Sequence, residues 1–179
     1  MQGKGPDAAA LTGLARHTLR AAAMREIQPS RALDMLNDAI LAEGVERFAT
    51  VALGRFLQED GNPSLTVACG GHPLPHVVRA DGSIEEVGKH GTLLGLFPDV
   101  DLHDETIRLA PGDAVVFYTD GVVEDRRAQT EETHRVRDFL ARCPADSAEA
   151  LADGLEREVR RIHPGGAQDD VAILVLRVT

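Results

Sequence analysis

Apolar residues change their spacing near residue 47, from a helical repeat to a strand-like one. Residues 7–23 and 30–43 each carry an apolar stripe at helical spacing, and Ser30 is a plausible N-cap for the second helix. The segments RFATVALGRF, SLTVACGG, PHVVR, SIEEV and ETIRL then read as strands, and Asp81-Gly82 predicts a hairpin turn. The chain therefore places two helices before a run of short strands.

The last third of the chain returns to helix and ends on a strand. Pro111-Gly112 fits a type II turn before the strand DAVVFYTDG. Asp146 and Glu149 fit a capping box ahead of an amphipathic helix, and the apolar run VAILVLRV at 171–178 predicts a final strand. This order predicts an α+β layered domain with antiparallel sheet rather than a βαβ fold. A length of 179 residues is typical of one domain.

Charge and composition exclude several classes of partner. A net charge of −10 repels nucleic acid and anionic membranes, and an aromatic content of 3% supplies few platforms for stacking bases. No apolar run is long enough to span a bilayer, and the opening residues lack the apolar region of a signal peptide. The cysteines, Cys69 and Cys143, are too few for a disulfide scaffold. We therefore expect a cytoplasmic protein with no nucleic acid or membrane partner.

Three common kinds of site find little support in the sequence. Gly3, Gly5 and Ala8 match a dinucleotide-binding fingerprint, but that motif needs a preceding strand and a βαβ unit. Four histidines at 72, 76, 90 and 103 suggest zinc, yet two prolines keep the first two from sharing a helical face. No serine lies in a G-x-S-x-G elbow, and both cysteines fit core or near-surface positions.

Two acidic motifs flank apolar strands and point to metal binding. Asp120 follows the strand VVFYT and precedes Gly121, whereas Asp169 and Asp170 stand directly before the last strand. If the two strands are antiparallel neighbours, these carboxylates gather at one edge of the sheet. Such an oxygen-rich pocket suits Mg²⁺ or Mn²⁺. An Asp-Gly pair after a strand is also typical of a plain turn, so the spacing alone leaves both interpretations open.

Five segments in a fixed order resemble a known family: GKGPDAAALTGLARHTLRAAA, RFATVALGRF, CGGHPLPHVVRADG, PGDAVVFYTDGVVEDR and GGAQDDVAILVLRV. Together they resemble the metal-dependent protein serine/threonine phosphatases of the PPM (PP2C-like) class, in the bacterial SpoIIE/RsbU branch. The resemblance covers essentially the whole chain. It implies an α-β-β-α sandwich of two antiparallel sheets flanked by helices. It also implies two Mn²⁺ or Mg²⁺ ions held by aspartates, with a bridging water that attacks phosphoserine or phosphothreonine.

The resemblance assigns roles to residues of both acidic motifs. Asp120 corresponds to the metal ligand of the family's TDG motif, and Gly121 lets the chain turn close to the metals. Asp169 corresponds to the first aspartate of the DD ligand motif, with Asp170 as its neighbour or alternate. His72, in CGGHP where the family has NAGHP, corresponds to a histidine that we interpret as structural or near the site.

The opening residues correspond to a turn beside the metals. Gly3 and Gly5 match the family's GKG, and Met1 stands at the backbone position that follows a metal-binding aspartate in the family's GDV. We therefore expect residues 1–179 to be a single phosphatase domain without its first strands and first metal-binding Asp motif. That expectation includes reduced metal occupancy and weak or no turnover by these residues.

Partners follow from the same resemblance. A phosphorylated protein of the STAS type, an anti-sigma factor antagonist, is the expected substrate. The alternative is a catalytically incompetent phosphatase fold that acts as a binding or oligomerising module. In that case a homodimer would form through the helices or through a sheet face left exposed.

Overall fold

The computed structural model describes residues 6–25, 28–44, 47–59, 62–122, 132–144, 146–162 and 170–179. The elements, in chain order, are α1 (Pro6–Ala23), α2 (Pro29–Ala42), β1 (Val51–Glu59), β2 (Asn62–Gly70), β3 (His76–Val78), β4 (Ile84–Glu86), β5 (Glu105–Arg108), β6 (Ala114–Tyr118), a 3₁₀ turn (Asp120–Val122), α3 (Glu132–Leu140), α4 (Ala148–Ile162) and β7 (Ile173–Arg177). The predicted order of helices, strands, helices and a last strand is thereby confirmed.

The chain divides into two compact units. The first comprises Met1–Glu59, Ser64–Leu74 and Gly88–Ile107, and the second comprises Asp60–Pro63, Pro75–Val87 and Arg108–Thr179. Each unit has an apolar core of its own. That residues 1–179 form a single domain lacking its first strands stays a prediction.

The first unit packs α1 and α2 together over a sheet that, within the described ranges, has the order β1-β2-β5. The apolar stripe of α2 supplies Leu33, Leu36 and Ile40, all at most 1% exposed. They pack in one cluster with Leu11 and Ala15 of α1. The helical spacing read from the sequence therefore marks the buried faces of both helices.

A distant carboxylate caps the N-terminus of α2. Gln28 holds the N-cap position, so the prediction that Ser30 is the N-cap is wrong. Ser30 lies in the first turn, where its N–H and Oγ–H donate to the Asp104 carboxylate at 2.9 and 2.6 Å. Pro29 fits the first helical position because it has no N–H to satisfy. The negative charge of Asp104 complements the positive end of the helix dipole.

The second unit contains an antiparallel sheet with the order β4-β3-β6-β7 among the described strands. Leu151, Leu155 and Val159 of α4 are buried in the core of this unit, as expected for the predicted amphipathic helix. The capping box predicted from Asp146 and Glu149 is wrong by one residue. Ser147 caps α4 instead, because its Oγ accepts the N–H of Ala150, three residues into the helix, at 3.0 Å.

Both glycine turns predicted in this unit are confirmed. Gly82 has a φ of +84° between β3 and β4, and its N–H donates to the carbonyl of Arg79 at 2.9 Å. Gly112 has a φ of +95° before β6, and the N–H of Asp113 donates to the carbonyl of Ala110 at 3.0 Å. Left-handed backbone at these points is readily adopted only by glycine.

None of the helices in the described ranges has the length and apolar character that a bilayer crossing would require.

Candidate metal centre

The strands β6 and β7 are antiparallel neighbours, with a register that ends at Tyr118 opposite Ile173. Asp120 follows β6 by two residues, and Asp170 precedes β7 by three. The end of one strand and the start of the other therefore meet at the same edge of the sheet. The sequence predicted an acidic edge on condition that these two strands pair, and that pairing is confirmed. Asp120 and Asp170 are both exposed at this edge.

Thr119 joins the two chain segments at this edge. Its N–H donates to the carbonyl of Ala172 at 3.0 Å, and the N–H of Ala172 donates to its hydroxyl at 2.9 Å. The same hydroxyl donates to the backbone carbonyl of Asp170 at 2.8 Å. The sequence did not reveal this role of Thr119, because its hydroxyl partners, Asp170 and Ala172, lie 51 and 53 residues away in the chain.

Asp120 begins a short 3₁₀ turn whose other two residues, Gly121 and Val122, are buried. The N–H of Val122 donates to the carbonyl of Thr119 at 3.0 Å, which closes the turn. The N–H of Gly121 donates to Asp120 Oδ1 at 3.1 Å and thereby helps to orient the carboxylate. The Asp120 side chain thus extends into solvent from a backbone that is held on both sides.

The other predicted site residues are distributed differently. Met1, Gly3, Gly5 and Asp169 lie outside the described residues, and their roles stay predictions. His72 lies in the first unit, where its Nδ1 is 3.0 Å from the carbonyl oxygen of Pro73. Across the described ranges, no group of three or more His, Cys, Asp and Glu side chains is arranged to hold a metal.

The donors at the edge of β6 and β7 are hard oxygens. Asp120 and Asp170 offer carboxylates, and these are the ligands that Mg²⁺ and Mn²⁺ prefer. The residues present therefore fit the chemistry of such an ion, with two of the predicted carboxylates in the described part of the site.

His76 has surroundings unlike those of a metal ligand on the surface. It is fully buried in β3 with its ring 5.7 Å from that of Tyr118, and neither ring nitrogen has a hydrogen-bond partner among the described residues. Burial, followed by the positive charge of Arg137, lowers the pKa of His76 to about 4. The imidazole is therefore neutral at neutral pH.

The cysteines do not supply a reactive thiolate. Cys69 is buried in β2, and this burial raises its pKa to about 12. The pKa of Cys143 is also raised, mainly by burial. Because the thiolate is the nucleophilic form, both thiols are inert near neutral pH. The predicted positions of both residues, in the core and near the surface, are confirmed.

A family model described as Stage II sporulation protein E (SpoIIE) matches residues 1–179. The chain is 23% identical over 177 residues to the phosphoserine phosphatase RsbU of Bacillus subtilis (strain 168). This alignment covers 98% of the present chain and 52% of RsbU. A structure of the RsbU and RsbW domains of Rv1364c from Mycobacterium tuberculosis is 28% identical. It has a TM-score of 0.78 and covers 98% of this chain and 50% of that chain.

The cell fate determinant SpoIIE from Bacillus subtilis has a similar fold. Its PP2C phosphatase domain, solved with a fragment of the regulatory domain, is 21% identical with a TM-score of 0.79, over 99% of this chain and 52% of that chain. A structure of its phosphatase domain presoaked with Mn is 18% identical with a TM-score of 0.64, over 99% and 76%. The predicted PP2C-like fold with two antiparallel sheets is thereby confirmed. The chain spans about half the length, or less, of the curated relatives it matches.

Proposed function

We propose, because the chain belongs to the Stage II sporulation protein E (SpoIIE) family, that it is a metal-dependent protein phosphatase of the PPM type. Its substrate would be phosphoserine or phosphothreonine on a regulatory protein. The observation that supports this function most directly is the antiparallel register of β6 and β7, which brings Asp120 and Asp170 to one sheet edge.

The proposed cofactor is Mn²⁺ or Mg²⁺, with two ions expected from the family resemblance. Asp120 and Asp170 would hold the cation, together with Asp169 and the backbone at Met1, which lie outside the described residues. When bound, the cation would lower the pKa of water and neutralise charge on the phosphoryl oxygens. Mn presoaking of the SpoIIE phosphatase domain supports this choice of ion.

The chain's own residues would orient the carboxylates. The N–H of Gly121 holds one oxygen of Asp120, and the closed 3₁₀ turn limits the movement of its backbone. A carboxylate that is already oriented loses less conformational entropy when it binds a cation. No covalent intermediate on the protein is needed, which agrees with the raised pKa values of Cys69 and Cys143.

The proposed substrate is a phosphorylated STAS-type anti-sigma factor antagonist. Two relatives support a protein substrate in a regulatory system, since RsbU is a phosphoserine phosphatase and the Rv1364c structure contains RsbU and RsbW domains. The net charge of −10 disfavours nucleic acid and anionic membranes as partners. Both cysteines are free, as is typical of proteins in a reducing compartment. We therefore propose a cytoplasmic location.

Phosphate release from a phosphoserine peptide and from p-nitrophenyl phosphate tests this function. Release that requires Mn²⁺ and stops with a chelator is expected, and Asp120→Asn should lower it by at least about 100-fold. Asp81→Asn is the matched control, because Asp81 lies in an exposed turn of the same unit and accepts hydrogen bonds from Ser83, two residues away. Release that persists without a divalent ion, or that is equal in wild type and Asp120→Asn, would contradict the proposal.

The second candidate is a binding or oligomerising module, and two exposed leucines of β7 favour it. Leu174 and Leu176 are 56% and 41% exposed on the last strand of the sheet as described. Adjacent exposed leucines on a strand at the end of a sheet are typical of association surfaces. Size-exclusion chromatography with light scattering discriminates between the candidates. A dimer that has no affinity for Mn²⁺ and dissociates in Leu174→Lys would support the module, whereas a monomer that binds Mn²⁺ would exclude it.

A further inference from the structure

The last pair of the ladder between β6 and β7 is hydrogen-bonded in an unusual way. The residues of such an antiparallel pair ordinarily exchange two backbone N–H to carbonyl bonds. Thr119 and Ala172 stand opposite each other, one step beyond the pair of Tyr118 and Ile173. Thr119 donates its N–H to the carbonyl of Ala172 at 3.0 Å, but Ala172 donates its own N–H to the Thr119 hydroxyl at 2.9 Å. A side chain thus takes the place of a backbone acceptor.

Because the hydroxyl accepts the Ala172 N–H, the carbonyl of Thr119 is available for another hydrogen bond. That carbonyl accepts the N–H of Val122 at 3.0 Å and closes the turn that contains Asp120. Without the hydroxyl, one carbonyl would have to serve both the ladder and the turn. The hydroxyl therefore allows the chain to leave the sheet at Asp120 while the partner strand keeps its register.

The Thr119 hydroxyl also contacts Asp170, which precedes β7. It donates to the backbone carbonyl of Asp170 at 2.8 Å, two residues before Ala172. A hydroxyl can donate one hydrogen bond and accept another at the same time, and only serine and threonine place one this close to the backbone. Threonine also suits a strand, because its branched side chain has a high β propensity.

We propose that Thr119 is a positioning residue that fixes the backbone of Asp120 relative to that of Asp170. Its hydroxyl bonds fix the two backbone segments from which the Asp120 and Asp170 carboxylates would hold a cation. The inference rests on the proposed metal site, and it adds a residue that contributes no ligand of its own. It predicts that removal of one hydroxyl weakens the binding of Mn²⁺ without removal of any carboxylate.

Three variants of the full chain test the proposal. Thr119→Val keeps the shape and removes both hydroxyl bonds, whereas Thr119→Ser keeps the hydroxyl. Thr66→Val is the matched control, because the hydroxyls of Thr66 and Thr106 are paired at 2.8 Å between β2 and β5, in the other sheet. Titration calorimetry with Mn²⁺ should show an affinity about 10- to 100-fold lower for Thr119→Val. Thr119→Ser and Thr66→Val should retain the wild-type affinity.

Amide hydrogen exchange gives a second readout that needs no metal. The Ala172 amide should exchange faster in Thr119→Val than in wild type, because its acceptor is gone, and it should stay protected in Thr119→Ser and Thr66→Val. If circular dichroism shows that Thr119→Val is unfolded, Thr119→Ala takes its place in both measurements.

Each outcome of these experiments decides one question. Equal Mn²⁺ affinity in wild type and Thr119→Val would overturn the positioning role and leave the proposed function standing. An equal loss of affinity in Thr66→Val would also overturn it, because the effect would then be a general loss of stability. A wild-type chain that binds no Mn²⁺ would overturn the proposed function itself, and with it this inference.

Discussion

The substitution Asp113→Asn removes a charge from the buried start of β6. Asp113 is 3% exposed, and its carboxylate accepts hydrogen bonds from the Ala80 N–H, the Ala110 N–H and the Arg79 guanidinium at 3.0, 2.9 and 2.8 Å. Burial alone would raise the pKa of Asp113. The three donors outweigh burial and hold that pKa below its ordinary value. The carboxylate therefore fastens the hairpin of β3 and β4 to the turn before β6.

The size of the effect follows from the number of donors. Asparagine offers one acceptor oxygen, and its NH₂ group would face an N–H or guanidinium donor. At least one donor then loses its acceptor, which costs about 1–3 kcal/mol of stability. The hydrogen bond from Arg79 is no longer charge-assisted, and its weakening costs a similar amount. We expect Asp113→Asn to lower the free energy of unfolding by about 3 kcal/mol.

Urea denaturation followed by circular dichroism at pH 7 measures this loss. Asp81→Asn is again the control, since Asp81 is exposed and accepts hydrogen bonds from the N–H and hydroxyl of Ser83, two residues away. The Asp113 carboxylate has a lowered folded pKa, so its contribution is complete above the ordinary aspartate pKa and disappears as pH falls through the folded value. The difference between wild type and Asp113→Asn should therefore shrink at acidic pH. A midpoint shift no larger than that of Asp81→Asn at pH 7 would show that the Asp113 carboxylate does not stabilise this turn.

Two further predictions concern a buried histidine and a helix cap. Burial, and then Arg137, lowers the pKa of His76 to about 4, whereas the unfolded chain binds its proton near the ordinary value of 6.5. Stability should fall by about 3 kcal/mol in total as pH drops from 6.5 to 4, and thermal melts of His76→Leu should lack this part of the pH dependence. Asp104→Asn weakens the cap at Ser30 and should cost about 1 kcal/mol in urea denaturation. Asp101→Asn, in the same exposed segment, should cost less, and equal losses would contradict the cap.

The elements whose signals are local were predictable from the sequence. The stripes of α1, α2 and α4 and the left-handed glycines Gly82 and Gly112 depend on neighbours within a few residues. The pairing of β6 with β7 was predictable only as a condition, because strand order depends on contacts between residues far apart in the chain.

Features that depend on remote partners were missed. Serine is a residue type that is favoured at N-caps, but the group that caps α2 is the carboxylate of Asp104, which lies 74 residues from Ser30. Asp113 reads as a turn residue until Arg79 and Ala80 are placed beside it. Thr119 likewise has no visible role until β7 stands next to β6.

The candidate site divides in the same way. The sequence identified Asp120 and Asp170 from their positions beside apolar strands, and the register supports their meeting at one edge. The backbone that holds them could not be predicted, because it depends on a side chain that replaces a carbonyl in the ladder. The roles of Asp169, Met1, Gly3 and Gly5 stay predictions from the family resemblance.

Titration calorimetry of the chain with Mn²⁺, side by side with Asp120→Asn, tests the proposed metal centre most directly. We expect a saturable binding heat for wild type and an affinity lower by at least about 100-fold for Asp120→Asn. Asp81→Asn should bind as wild type does. Equal affinity in wild type and Asp120→Asn, or no binding heat from wild type, would contradict the proposed metal centre.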